Sequence, residues 1–520
     1  MKAIDVLDTP LLRLTPRDNF TLRDAAQGVC VMGGIGSGKT SGSGQALAGA
    51  YLRAGMGGLI LCAKPEEIEL WRAYCARHGR SNSLIVFDGA NHGFNFLAYE
   101  LARQGADGVN SVIECLMRVL EMARAASPTP GRAGDTFWED TTRQVLRHAV
   151  PVLYAAYGTV RIGDLLRFVR SAPRTPADMR DPEWQAQSYF CASIVEAAPH
   201  LPDAVGERLV GYWRDDFAAL DPKTRGNIVI SLTTALDRFN HGWLQSAFCG
   251  RTTVFPELTF EGAIVLLAMP ALTLNEDGII AQQLVKFMWQ RAVLARNALP
   301  PRYRERPVFL WADEAQYFLS QDAEFLSTCR GSRACVVFLS QSLPTYYAKM
   351  GENARDRVHH LLGNFATKIW HSNACAETNE WAARTLGKAL QERRSYNRGH
   401  GTNHGMGMNR GEGSNSGGQS GSGGGYSHGS GGGSSNSSWS SGASWGQSEQ
   451  WGDSRNHGSS DNVSWGHSEQ MDYMLEPGAF SRHLKTGGPG NRNRVSAVWY
   501  QAGRRFAVSG SNVIAPEFRQ

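Results

Sequence analysis

Short unbroken apolar runs alternate with segments of helical spacing from residue 28 to about 97, and the apolar runs return between 262 and 372. Gly28-Val29-Cys30-Val31-Met32 predicts a buried strand. Ser41 to Ala54, rich in alanine and leucine, predicts a helix. GGLILCA at 57–63, a helical segment from Glu66 to Gly79 and SLIVF at 83–87 complete a βαβαβ pattern, which implies a parallel sheet. Four later runs predict further strands of that sheet: AIVLLAMP from 263, PVFLWAD at 307–313, ACVVFLS at 334–340 and FATKIWHS at 365–372. Between about 105 and 245 the pattern is helical, with long segments at Val109 to Ala126, Thr136 to Tyr157 and Glu207 to Leu220. Phe137, Trp138, Val145, Leu146, Val152 and Leu153 recur at helical intervals and read as a core stripe. The predicted fold class is α/β, with a mainly parallel central sheet interrupted by an all-helical insertion.

After Arg398 the periodicity stops. Glycine, serine, asparagine and histidine with isolated tryptophans run to about Gln470, a composition that buries too little apolar surface to offset chain entropy and predicts a disordered insertion or flexible loop. SWGQSEQ at 444–450 returns as SWGHSEQ at 464–470, with Trp439 and Trp451 nearby. The tract reads either as a drifted low-complexity insertion or as a tether whose tryptophans contact a partner or single-stranded nucleic acid. His400, His404, His428, His457 and His467 are too irregularly spaced for a defined metal site. Pattern returns at Met471, and VSAVWYQ followed by RRFAVSG predicts a hairpin around Ala502-Gly503. The expected division is therefore 1–104 and 246–397 for the sheet domain, 105–245 for the helical insertion, 398–470 for the tract and 471–520 for strands that rejoin the sheet.

Composition narrows this little. A chain of 520 residues implies two or three folded units, and a net charge of +5 permits contact with nucleic acid without demonstrating it. Nine scattered cysteines without a CxxC pair fit neither a disulfide framework nor a structural zinc site and point to a reducing, cytoplasmic compartment. The N-terminal residues lack the apolar core of a secretory signal. The longest apolar stretch, Ala263 to Leu274, is interrupted by proline and is shorter than the roughly 18 residues a span requires.

Residues 33–40, GGIGSGKT, satisfy G-x-x-x-x-G-K-[ST] between a predicted strand and a predicted helix. Gly33, Gly34, Gly36 and Gly38, with Ile35 and Ser37 between them, would let backbone N–H groups curl round phosphates, aided by the helix N-terminus at Ser41. Lys39 would reach the β and γ phosphates of ATP. Thr40 would place its hydroxyl on a magnesium ion. Such a loop needs a carboxylate at the end of a neighbouring strand, and Val308 to Ala312 ends in Asp313-Glu314. Asp313 would serve Mg2+ and Glu314 would polarise the attacking water, the alternative being a strand-ending salt-bridge pair. Gln341, after the apolar strand from 334, could sense a γ-phosphate or merely cap a turn. Arg330 could act as an arginine finger on a neighbour's nucleotide or stay a solvated side chain.

GSGKTSG from 36, DEAQYFLSQDAEFLSTCRGSRACVVFLSQSLPTYYAKMG from 313, LLGNFATKIWHSNACAETNEWAARTLGK from 361 and LEPGAFSRHLKTGGPGNRNRVSAVWY from 475 together resemble the TraG/TraD-type coupling ATPases of conjugation and type IV secretion. The resemblance covers nearly the whole chain. It implies a RecA-like P-loop NTPase with an all-helical domain, assembling as a homo-hexamer that uses ATP to pump DNA or a relaxase–DNA complex into a secretion channel. It matches Arg330 to the family's arginine finger and Gln341 to the Q-S pair that follows. Two departures stand out. The family usually carries two N-terminal membrane helices, whereas this chain starts almost directly at the nucleotide-binding pattern, implying a cytoplasmic variant docked at the inner membrane by a partner. Where the family has Asp-Pro-Lys-Gly, this chain reads Ala63-Lys64-Pro65-Glu66.

The leading expectation is an ATPase that acts as a coupling protein or DNA translocase. The alternatives are an ATP-gated cargo adaptor without processive movement and a DNA-pumping ATPase of the HerA and FtsK type.

Overall fold

The computed structural model describes residues 6–104, 108–126, 136–351, 353–403 and 458–520, with the backbone alone at 126, 136–137, 392–403 and 458–469. Two units separate: residues 1–382 with 476–520, and residues 383–475.

The first unit opens with an antiparallel pair, β1 (Pro10–Arg13) and β2 (Asn19–Thr21), and a one-turn helix whose capping box joins Thr21 and Asp24. The central sheet draws on β3 (Val29–Met32), β4 (Gly57–Leu61), β5 (Leu84–Phe87), β6 (Ile264–Leu267), β7 (Val308–Ala312), β8 (Ala334–Ser340) and β9 (Thr367–Trp370). In the second unit β10 (Lys388–Asn403) and β11 (Gly458–Tyr473) form an antiparallel hairpin. The first unit resumes with β12 (Arg494–Ser496), β13 (Val498–Gln501), β14 (Val513–Ile514) and β15 (Glu517–Arg519).

Nine strands form the central sheet in the order β14-β13-β9-β3-β8-β7-β4-β6-β5. Seven run parallel, and β13 and β14 add antiparallel steps at one edge. Every residue of β3, β4, β6, β7 and β8 is buried, because helices cover both faces; this explains why these strands read as unbroken apolar runs rather than alternating ones. β3 lies inside the sheet between β8 and β9, so the loop that follows it opens beside the ends of strands encoded some 300 residues later.

Between β5 and β6 the described residues are helical, in segments that include 108–126, 136–157, 162–170, 189–197, 222–237 and 242–248. Val145, Leu146, Val152 and Leu153 are fully buried as the spacing predicts, and Trp138 is partly buried with the Arg124 guanidinium over its ring; the Phe137 side chain lies outside the described residues. Trp213 anchors this core. Phe168, Phe190, Tyr212 and Phe217 surround it at centroid distances of 5.3, 5.6, 5.3 and 4.8 Å, each pair worth about 0.5–1.5 kcal/mol beyond its buried area.

One expectation is refined and one needs correction. At the ends of the insertion expected over 398–470, residues 398–403 and 458–470 pair as strand in β10 and β11, sixteen residues each in continuous register from Lys388↔Tyr473 to Asn403↔Gly458. Ladder hydrogen bonds between backbones hold such a pair whatever its side chains, so a Gly/Ser-rich composition conceals it. Residues 404–457 lie outside the described residues. RRFAVSG, by contrast, does not form the return strand of a hairpin; β13 pairs instead with β14. The segment is pinned as a loop by N-terminal acids: Arg504 pairs with Asp24 at 2.7 Å, and Asp18 accepts the Ala507 and Val508 N–H groups at 2.7 and 3.3 Å.

Candidate nucleotide site

The glycine loop leaves β3 at the carboxyl edge of the sheet. Gly33 N–H donates to the Ser340 carbonyl at 3.2 Å and Gly34 N–H to the Ser372 carbonyl at 2.9 Å, which ties the loop to the segments leaving β8 and β9. Gly36 and Gly38 take φ of 70° and 81°, a region that favours glycine. A Cβ on Gly38 would also come within 2.6 Å of Val495, so that position is closed to side chains twice over. The buried Ser37 hydroxyl has no hydrogen-bond partner among the described residues, and Ile35 is 89% exposed. The loop runs through a wide helical turn, Thr40–Gly44, into the helix Gln45–Arg53.

β7 lies one strand away from β3, separated by β8, and delivers two acids just past its end. The Thr40 hydroxyl donates to Asp313 Oδ2 at 2.7 Å. Glu314 is 2% exposed and sits in the left-handed region (φ 51°, ψ 47°), a conformation that costs a non-glycine residue about 1–3 kcal/mol and persists only where its surroundings fix it. They do. Its N–H donates to Asp313 Oδ1 at 2.9 Å, while its carboxylate accepts Gln316 Nε2 at 2.9 Å, Gln341 Nε2 at 3.0 Å and Lys64 Nζ at 3.2 Å, with Lys39 Nζ at 3.7 Å. Burial pushes this carboxyl up, but the Gln316 bond, the Lys39 charge, the Gln341 bond and the Lys64 charge outweigh it and hold Glu314 below the usual glutamate value. It is therefore an anion at neutral pH, able to accept a proton or polarise a water.

The residues present fit a magnesium ion. Thr40 and Asp313 offer hard oxygen donors a hydrogen-bond distance apart, which suits an ion that takes one or two protein ligands and completes its shell with phosphate and water. No cluster of three or more His, Cys, Asp or Glu side chains competes among the described residues.

Lys39, Thr40, Asp313, Glu314 and Gln341 thus meet at one place. Gln341 is itself held, its carbonyl accepting Asn373 Nδ2 at 2.8 Å. Arg330 does not join them: it is exposed in the turn Cys329–Ser332 that precedes β8, whereas Gln341 follows β8. Seven strand residues at about 3.3 Å each put roughly 20 Å between the two ends, so Arg330 cannot serve its own chain's site.

Five further residues support the site in roles that the sequence motifs do not assign. Gln316 links Glu314 to the Ser340 hydroxyl at 2.8 Å, and Lys64 brings a second cation to Glu314. Strand order explains Lys64: Leu61 stands opposite Ala312 in register, so the residues just past β4 fall beside Asp313 and Glu314. Gln282 fixes that strand end, its carboxamide bonded to both N–H and C=O of Cys62 at 2.7 and 2.8 Å. Glu67 accepts the N–H groups of Ala63 and Lys64 at 3.2 and 3.3 Å; burial first, then the Asp313 charge, push its carboxyl up to about 9, so it is neutral at pH 7. Behind the loop His371 Nε2 lies 2.7 Å from the Ser43 hydroxyl, and burial together with the Lys39 charge drives the imidazole down to about 3, hence neutral.

Residues 307–423 match the family model described as the TraM recognition site of TraD and TraG. No curated protein matches the sequence. Among solved structures, the bacterial conjugative coupling protein TrwBdeltaN70 in its unbound monoclinic form aligns over 95% of this chain and 85% of its own, with 14% identity and a TM-score of 0.54. The plasmid coupling protein TrwB in complex with the non-hydrolysable GTP analogue GDPNP aligns over 73% of this chain and 80% of its own (17% identity, TM-score 0.47). VirB4 of Thermoanaerobacter pseudethanolicus aligns over 70% and 85% (15% identity, TM-score 0.40). The fold is that of the TrwB coupling protein, RecA-like with a mainly parallel sheet, as the TraG/TraD resemblance implies. No helix among the described residues is long and apolar enough to cross a membrane.

Proposed function

We propose that this chain, TraG/TraD-like in fold and in its 307–423 segment, is an ATP-hydrolysing coupling protein of a conjugative or type IV secretion system. It would engage DNA or a relaxase–DNA complex and move it toward a secretion channel. The observation that carries the reading is the convergence of Lys39, Thr40, Asp313, Glu314 and Gln341 at the carboxyl ends of β3, β7 and β8. A nucleotide-dependent binder needs the loop and a metal carboxylate; it does not need a second, ionised and buried carboxylate held by four side chains.

The chain's own residues divide the work. The N–H groups of Gly36 and of Gly38 to Ser41, with the Lys39 ammonium, would hold the phosphates, and Lys39 would neutralise charge that grows on the γ-phosphoryl oxygens. Thr40 and Asp313 would hold Mg2+, which supplies charge stabilisation at the β and γ oxygens. Glu314 orients and polarises the attacking water, and Gln341, bonded to Glu314, reports whether the γ position is filled. Arg330, exposed and away from its own chain's site, would serve a neighbouring copy's nucleotide in a ring of subunits, a hexamer on the family's pattern. The 307–423 segment would recognise a partner of the TraM kind.

Purified protein should hydrolyse ATP in Mg2+, and DNA should raise the rate. Glu314→Gln should abolish turnover and leave nucleotide binding intact. A wild-type rate indifferent to both single- and double-stranded DNA would remove the translocase reading and favour a gated adaptor.

A further inference from the structure

The ribbon of β12 and β15 is packed on the glycine loop. Val495, fully buried in β12 and opposite Phe518 of β15, rests against Gly38 and Gly42, where an added Cβ would come within 2.6 and 3.2 Å of its methyl groups. From the end of this ribbon Gln520 reaches the residue that follows Thr40, and it carries a second loop with it. Gln520 Nε2 donates to the Ser41 hydroxyl at 2.7 Å. The same carboxamide accepts Gly488 N–H through Oε1 at 3.2 Å, and Gln520 N–H donates to the Asn493 carbonyl at 2.9 Å.

The loop Gly487–Asn493 is therefore fastened beside Ser41. It is tightly wound: Gly487, Gly488, Arg492 and Asn493 take φ of 88°, 73°, 53° and 52°, and the Gly488 carbonyl accepts the N–H groups of Asn491 and Asn493 at 3.1 and 2.8 Å. Two consecutive non-glycine residues in the left-handed region are strained by roughly 1–3 kcal/mol each, a cost tolerated where a constellation must be held in place. What is held is a set of carboxamides and a guanidinium: Asn491, Arg492, Asn493 and Gln520.

In a phosphate loop, the lysine serves the β and γ phosphates, and the backbone that follows the threonine lies toward the α end. The sugar and base of a bound nucleotide continue outward from that end, past Ser41. We infer that the loop Gly487–Asn493 with Gln520 forms the nucleoside side of the site, with Gln520 and Arg492 as the groups that recognise the sugar and base of a nucleoside triphosphate. Gln520 then exchanges its Ser41 bond for a ligand bond when the site fills. The inference rests on the proposed nucleotide site and deepens it.

The test separates the nucleoside from its phosphates. Binding of a non-hydrolysable ATP analogue and of inorganic tripolyphosphate, each with Mg2+, is measured by calorimetry on the wild-type full chain and on Gln520→Ala and Arg492→Ala. Both residues are exposed, so both variants should fold. The expected result is about tenfold weaker binding of the analogue in each variant, the size of one or two lost hydrogen bonds to a bound ligand, with tripolyphosphate unchanged. Equal losses for both ligands would make the loop a brace for the phosphate cradle and overturn the assignment. So would unchanged affinities for both. A wild-type chain that binds neither ligand would instead remove the nucleotide site itself.

Discussion

Replacing Asp322 by alanine should destabilise the first unit by about 3–5 kcal/mol, the cost of leaving a buried charge without its partner. Asp322 is 1% exposed and Lys286 is fully buried; the ammonium lies 2.7 and 2.6 Å from the two carboxylate oxygens. Burial drives the Lys286 ammonium down and the nearby carboxylate partly restores it. Asp322 also accepts Gln290 Nε2 and Ser320 N–H, each at 2.9 Å. Without it the ammonium keeps only the Phe318 carbonyl. Urea unfolding followed by tryptophan fluorescence should show the midpoint fall by about 1–1.7 M, taking 3–5 kcal/mol over a slope of about 3 kcal/mol per molar. The double variant Lys286→Met with Asp322→Ala should recover part of the loss, the remaining deficit coming from the orphaned Gln290 and Ser320 donors at about 1–3 kcal/mol for each that stays buried. A single variant with an unshifted midpoint, or a double variant no better than Asp322→Ala alone, would refute the reasoning. The pair also matters to the site, because it fastens the segment that runs from Glu314 to Arg330.

Subunit mixing tests whether Arg330 serves a neighbour's site: if it does, Arg330→Ala and Glu314→Gln should each be inactive, yet co-assembled they should regain activity at about a quarter of the sites, where an intact glutamate meets an intact arginine. Continued inactivity after verified co-assembly would place Arg330 outside the chemistry. The raised carboxyl of Glu67 makes a pH prediction. Its folded value of about 9 lies above its unfolded value, so the folded state holds the extra proton between roughly pH 5 and 9, and the contribution to stability falls as pH rises through that window. Thermal melts across this range should show the decline, and Glu67→Gln, which cannot ionise, should flatten it.

The phosphate loop was legible because all of it is contiguous, from Gly33 to Thr40, with its strand before and helix after. Asp313 and Glu314 were legible because they end an apolar run. Lys64 and Gln316 were not, since their value depends on β4, β7 and β8 being neighbours, and order in a sheet is not written in local periodicity. The loop at 504–510 hides its path for a related reason: its apolar residues predict a strand, but Asp18 and Asp24, almost five hundred positions earlier, decide its course. The hairpin β10–β11 was hidden by composition, because backbone pairing leaves little trace in a Gly/Ser-rich segment.

The position of β3 has a consequence for the newborn chain. Its neighbours β8 and β9 are completed only at residues 340 and 370, so the glycine loop lacks its anchoring strands until nearly three quarters of the polypeptide has left the ribosome. At about 5–20 residues per second that is an interval of roughly 15–60 seconds during which β3 exposes unpaired edges. The ribbon that rests on Gly38 and Gly42 arrives later still. The strands and ribbon that hold the glycine loop thus join β3 late, and the proposed site is completed among the last events of folding.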